Sequence, residues 1–139
     1  MCLYTRNKIA KTVQEDIKVY KVMHVVKPID GDESDTYGVP PYYSGYFYEK
    51  GLNKPRTESK PAKETSAIRW YCVEEGYLHA YVDWYHAAKR VAALKYENPY
   101  SSYYDIVEMY IPAGSMYYVG DDGDIAASAL YWPEEDKNA

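Results

Sequence analysis

Apolar and polar residues alternate along several short stretches of the chain, and alternation with period two is the signature of strands that bury one face. The run Ile17-Lys18-Val19-Tyr20-Lys21-Val22-Met23 alternates and is rich in β-branched residues, and Lys27-Pro28 ends it. A second strand is expected over Tyr42–Tyr48 after Pro40-Pro41, with Gly45 as a bulge, and further strands over Ala67–Val73 and Gly76–Tyr81. The period then changes. Trp84, Ala87, Ala88, Val91 and Leu94 recur at helical spacing behind Asp83, a good N-cap, and Glu97-Asn98-Pro99 stops the run. Beyond it, Tyr103–Ile111 alternates with Asp105, Val107, Met109 and Ile111 on one face. Pro112-Ala113-Gly114 makes a tight turn into Ser115–Val119, and Gly120-Asp121-Asp122-Gly123 turns into a last strand over Ile125–Trp132.

The order β-β-β-β-α-β-β-β describes an α+β fold, a twisted antiparallel sheet of about six to seven strands with one main helix packed on it. No internal repeat and no linker divides the chain, so residues 1–139 read as one domain. Three segments lack the periodicity: a polar arm over 1–15, a long basic loop over 49–66, and an acidic tail over 133–139. The basic loop holds Lys50, Lys54, Arg56, Lys60 and Lys63, and loops of that length are mobile or functional.

Composition changes the picture at one point. There are 19 tyrosines against a single phenylalanine. A buried phenol must pair its hydroxyl or keep it at the surface. So many cannot all be interior in 139 residues, and exposed tyrosines offer rigid contact area at low entropic cost. The net charge of −5 argues against a long nucleic acid as partner while leaving room for a small nucleotide. No run approaches the length of a membrane span and the start lacks a leader-like apolar segment, so a cytoplasmic location is expected. Cys2 and Cys72 form neither a zinc spacing nor a disulfide framework, and Cys72 reads as a small core residue.

Complete catalytic motifs are lacking. His24, His79 and His86 have no third ligand at metal-binding spacing, and no cofactor is implied. The alternate acids of Asp30–Asp35 fall out of register with a calcium loop. What remains is a set of aromatic and basic positions suited to stacking and to anions: Tyr20, Lys21, Tyr46, Tyr48, Lys54, Arg56, Tyr77, His79 and Tyr81. His79, Tyr81 and Glu108 are the residues that an enzymatic reading would use, and it requires them to converge.

Five segments, Val19-Tyr20-Lys21-Val22, Gly45–Gly51, Gly76-Tyr77-Leu78-His79-Ala80, Ile111–Gly114 and Gly123–Ser128, resemble those of small proteins of bacteriophages and gut Bacteroidetes. The resemblance implies a phage or mobile-element setting. A second likeness is to ADP-ribosyltransferases, with Lys21 where that family has an arginine, Glu108 as the strand acid and Ile106 in place of the second acid. It implies a shared fold with a degenerate activity, because lysine lacks arginine's bidentate fork. Three functional expectations follow: a non-enzymatic module capturing a host protein or a nucleotide-like small molecule, a degenerate transferase, and a homo-oligomeric structural component of a phage particle.

Overall fold

The computed structural model describes residues 3–31, 35–41, 46–74, 76–97 and 104–134. Its framework is a large antiparallel sheet carrying one helix, as the α+β reading expects. The strands are shorter and more numerous, in sheets of ten and three rather than one of six or seven. The small sheet comprises Leu3–Thr5 (β1), Lys63–Glu64 (β7) and Tyr71–Val73 (β8), in the order β1-β8-β7.

The large sheet begins with Lys11–Thr12 (β2) and Ile17–Val26 (β3), followed by Tyr37–Val39 (β4), Tyr48–Glu49 (β5), Gly51–Asn53 (β6) and Leu78–Tyr81 (β9). After the helix Trp84–Glu97 (α1) come Asp105–Ile111 (β10), Met116–Val119 (β11), Asp124–Ala127 (β12) and Leu130–Trp132 (β13). The sheet order is β2-β11-β12-β9-β3-β10-β13-β6, with β4 pairing β3 and β5 pairing β4.

That order forces the sheet to curl. β12 and β13 are separated in the chain only by Ser128 and Ala129, yet four strand-to-strand steps lie between them in the sheet. Four steps across a flat sheet span roughly 19 Å, whereas three peptide units reach at most about 11 Å. The sheet therefore rolls toward a barrel. Val19 and Met23 of β3, Met109 and Ile111 of β10, Ile125 of β12 and Leu130 of β13 meet in one core on its inner face. On the outer face α1 packs over β3, β9 and β10, with Ala87 and Leu94 against Val22. Covered on both sides, β3 buries the consecutive residues Lys21, Val22 and Met23.

Four expectations are corrected. The polar arm of 1–15 is built into the fold: Leu3 and Thr5 are buried, Val13 joins the core, and Thr5 Oγ1 donates to the Val119 carbonyl at 2.8 Å. The basic segment 49–66 contains β6 and β7 and is pinned by Asn53, which is buried. The Glu49 amide donates to Asn53 Oδ1 at 2.9 Å, and Asn53 Nδ2 donates to the Glu49 carbonyl at 2.8 Å. The final strand is two, β12 and β13, joined by the bend that curls the sheet. Cys72 is buried, as a small core residue should be, but it is disulfide-bonded, which the sequence reading did not expect.

The helix N-terminus is as expected, with the His86 amide donating to Asp83 Oδ1 at 2.8 Å. Tyr42 to Gly45 of the expected second strand lie outside the described residues, as do Cys2, Asp32 to Ser34 and 135–139.

Candidate functional site

The site arises where β3 parts from β9. On one side β3 is registered with β10 over seven consecutive pairs, Ile17↔Ile111 to Met23↔Asp105. On the other it meets β9 at a single pair, Tyr20↔Tyr81, and then turns away to pair with β4 at His24–Val26. Diverging strands leave main-chain groups facing a gap, and buried ones must find partners. Lys21 supplies one: its Nζ donates to the His79 carbonyl at 2.7 Å.

Lys21 points toward the inner face of the curled sheet and is only 8% exposed. Its ammonium lies 4.9 Å from the centroid of the Tyr48 ring, within cation–π range. Among the described residues no carboxylate forms an ion pair with it. Burial without a counter-charge penalises the ammonium form and pulls its pKa down to about 8.

Two cavities open on either side of this lysine, and both are lined by Lys21, Pro41 and His79. The first, of about 380 Å³, lies beneath α1 and adds Tyr81, His86, Lys89, Arg90, Asp122 and Asp124. The second, of about 500 Å³, is bordered by Tyr46, Tyr48, Arg56, Glu74 and Tyr77. Their sharing of three residues makes them two lobes of one wedge.

Local structure holds each lobe's wall. Gly76 has φ +78°, and a Cβ there would strike the backbone of Glu58 and Ser59. A glycine thus lets that loop, with Ser59 Oγ donating to the Gly76 carbonyl at 2.5 Å, press close and present Arg56. Across the wedge, His86 Nδ1 hydrogen-bonds to Asp83 Oδ1 at 2.7 Å, and its ring packs on Gly123, where φ is +72° and a Cβ would collide.

The titrating groups of the wedge are driven toward their neutral forms. Burial, helped by the Lys21 charge, lowers the His79 pKa to about 4, so its imidazole is uncharged at neutral pH. Burial, then the negative field of Asp124 and Asp122, pushes the Tyr81 phenol up to about 12. Burial, with Tyr118 close by, raises Tyr77 to about 12. Tyr48 is raised by its burial, and Tyr46 by burial and by Glu49. Burial also raises Asp124. The lobe bordered by Tyr46, Tyr48 and Tyr77 therefore offers phenols with intact O–H groups, flat ring faces, and the cations Lys21 and Arg56.

Of the positions expected to bind, Lys21, Tyr46, Tyr48, Arg56, Tyr77 and His79 come together around the larger lobe, and Tyr81 joins Lys21 and His79 in the smaller. Tyr20 and Lys54 line neither lobe. Tyr20 packs in the cluster beneath α1, and Lys54 borders a shallower depression with Tyr46 and Arg56. Glu108 is absent from the wedge too: Tyr20 stands between it and Tyr81 in the sheet, and it forms an exposed 4.0 Å pair with Lys18. His79, Tyr81 and Glu108 thus share a sheet face without meeting at one point. Sequence reasoning missed His86, Lys89, Arg90, Asp122 and Asp124. The helix residues carry the pattern of a solvent face, and no local signal shows that the sheet beneath them is open.

Of the 19 tyrosines, Tyr42, Tyr43, Tyr100 and Tyr103 lie outside the described residues, and of the others only Tyr48, Tyr77 and Tyr118 are buried. Among the described residues no three of His, Cys, Asp and Glu gather as metal ligands, and no helix is long and apolar enough to cross a membrane. No protein-family model, curated protein or solved structure matches this chain.

Proposed function

We propose that this protein is a non-catalytic capture module for a small nucleotide-like ligand, one that joins an aromatic ring to anionic groups. The observation that carries the reading is Lys21, a buried cation without a carboxylate partner among the described residues, set between two cavities. An isolated buried charge is costly, and an anion delivered by a ligand offsets that cost. The ring finds stacking faces at Tyr46 and Tyr77, which border the larger lobe, where base–aromatic stacking contributes about 1–3 kcal/mol per base. Arg56 provides a planar fork for a phosphate beside them. Concave lobes of about 380 and 500 Å³ suit a small molecule better than a host protein's surface.

The resemblance to proteins of phages and gut Bacteroidetes supports a phage or mobile-element setting. The disulfide at Cys72 is bonding of the kind that persists in oxidising surroundings.

The test is a thermal-shift and calorimetric screen with mono-, di- and cyclic nucleotides. A binder at a hundredfold excess over its Kd stabilises by about 2.7 kcal/mol, and Lys21→Met weakens it at least tenfold. No stabilisation across the panel overturns the reading and turns attention to a protein partner.

A further inference from the structure

We propose that Lys21 is a nucleophilic amine that condenses with an aldehyde-bearing anionic ligand seated in the wedge, forming an imine. The inference rests on the reading of the wedge as a ligand cavity and adds covalent chemistry to it.

Two geometric facts single out this lysine. It borders both lobes, so a ligand in either one lies against this side chain. Its charge is opposed by burial and offset only by the face of Tyr48 and the carbonyl of His79, since no carboxylate pairs with it among the described residues. A carboxylate would hold the amine protonated, whereas a carbonyl and an aromatic face orient it and leave the neutral form within reach. Lysines desolvated in this way are the ones that make Schiff bases. With a pKa near 8, roughly a tenth of Lys21 is free base at pH 7. An ordinary surface lysine is free base to only about three parts in ten thousand. The lower basicity reduces intrinsic nucleophilicity, so the net advantage is on the order of tenfold, by analogy with thiols.

The step balances without oxidant or reductant. The Nζ lone pair adds to the carbonyl carbon as the C=O π pair moves onto oxygen. One proton of the nitrogen transfers to that oxygen to give a carbinolamine; the nitrogen lone pair then closes C=N as the hydroxyl departs, and the second nitrogen proton leaves with it as water. Arg56 in the larger lobe and Lys89 in the smaller are placed to receive the ligand's anionic group.

The experiment uses the full chain with pyridoxal 5′-phosphate as probe, borohydride reduction, and peptide mass mapping. Pyridoxine 5′-phosphate, which has the ring and phosphate but no aldehyde, serves as the non-covalent control. The expected result is an adduct at Lys21 about tenfold above that at Lys18, suppressed by excess pyridoxine 5′-phosphate. The Lys21→Arg variant loses the visible imine absorbance, whereas Lys18→Arg, outside the wedge, keeps it. Label spread over surface lysines with Lys21 unmodified, while pyridoxine 5′-phosphate still stabilises the protein, overturns the covalent step and leaves the capture reading standing. Absence of both labelling and stabilisation overturns the inference, and the nucleotide screen decides separately whether the wedge binds anything.

Discussion

The two edges of β3 have opposite characters. Toward β10 the strand is registered over seven pairs above a core of Val19, Met23, Met109 and Ile111. Toward β9 it makes one pair, then leaves a gap lined by Lys21 and His79. The same strand thus supplies a fully zipped seam and an unzipped one. The zipped edge satisfies its main-chain groups by repetition, so its side chains need only fill space. At the open edge a side chain must stand in for a missing ladder bond, which brings a charge indoors. Stability and binding are thereby assigned to neighbouring residues on one strand.

Breaking the zipped edge has the largest expected effect. Met109 is fully buried, and Met109→Ala removes core volume at a cost of about 2–5 kcal/mol. Urea denaturation measures that loss, while ligand affinity per folded molecule stays unchanged. An affinity loss matching the stability loss would show that the edges do not act separately.

The open edge is probed by pH. The His79 pKa falls from 6.5 to about 4 on folding, so the unfolded chain binds its proton first as the solution is acidified. Stability is lost as pH drops from 6.5 toward 4, by on the order of 3 kcal/mol from this residue. His79→Gln flattens that part of the curve in a denaturation series. For Lys21 the folded value of about 8 lies below the ordinary 10.5. Between those values the unfolded state holds the extra proton, and the contribution of Lys21 to stability rises with pH.

The smallest stability change is expected at Lys21 itself. Lys21→Met removes a costly buried charge but orphans the His79 carbonyl, and the two effects cancel to within about 1 kcal/mol at pH 7. The variant also removes the rise in stability between pH 8 and 10.5. A drop comparable to that of Met109→Ala would mean that the lysine is a structural plug.

Local signals were legible in the sequence. Asp83 as a cap, the alternation from Asp105 to Ile111, and the turns at Gly114 and Gly123 each depend on neighbours a few residues apart. The strands β1, β2, β6 and β7 were not, because two or three residues cannot display a period of two. They exist by pairing with partners far along the chain, as Thr12 does with Met116. In the site, residue type pointed to Lys21, Arg56, His79 and the tyrosines. Lys89, Arg90 and Asp122 look like solvent residues in their own elements and become cavity walls only through the divergence of β3 from β9. Glu108 shows the converse: sharing a face with Tyr81 is not sharing a site.

The two-residue bend at Ser128–Ala129 has a consequence for how the molecule is made. β3 cannot complete its seam until residues near position 105 exist, and the roll of the sheet waits for Leu130–Trp132. Such distant pairings close slowly, typically in milliseconds to seconds. A ribosome must deliver the residues through Trp132 before the apolar side of β3 is sheltered. Truncating the last strand would therefore leave a sticky ribbon rather than a smaller version of the protein.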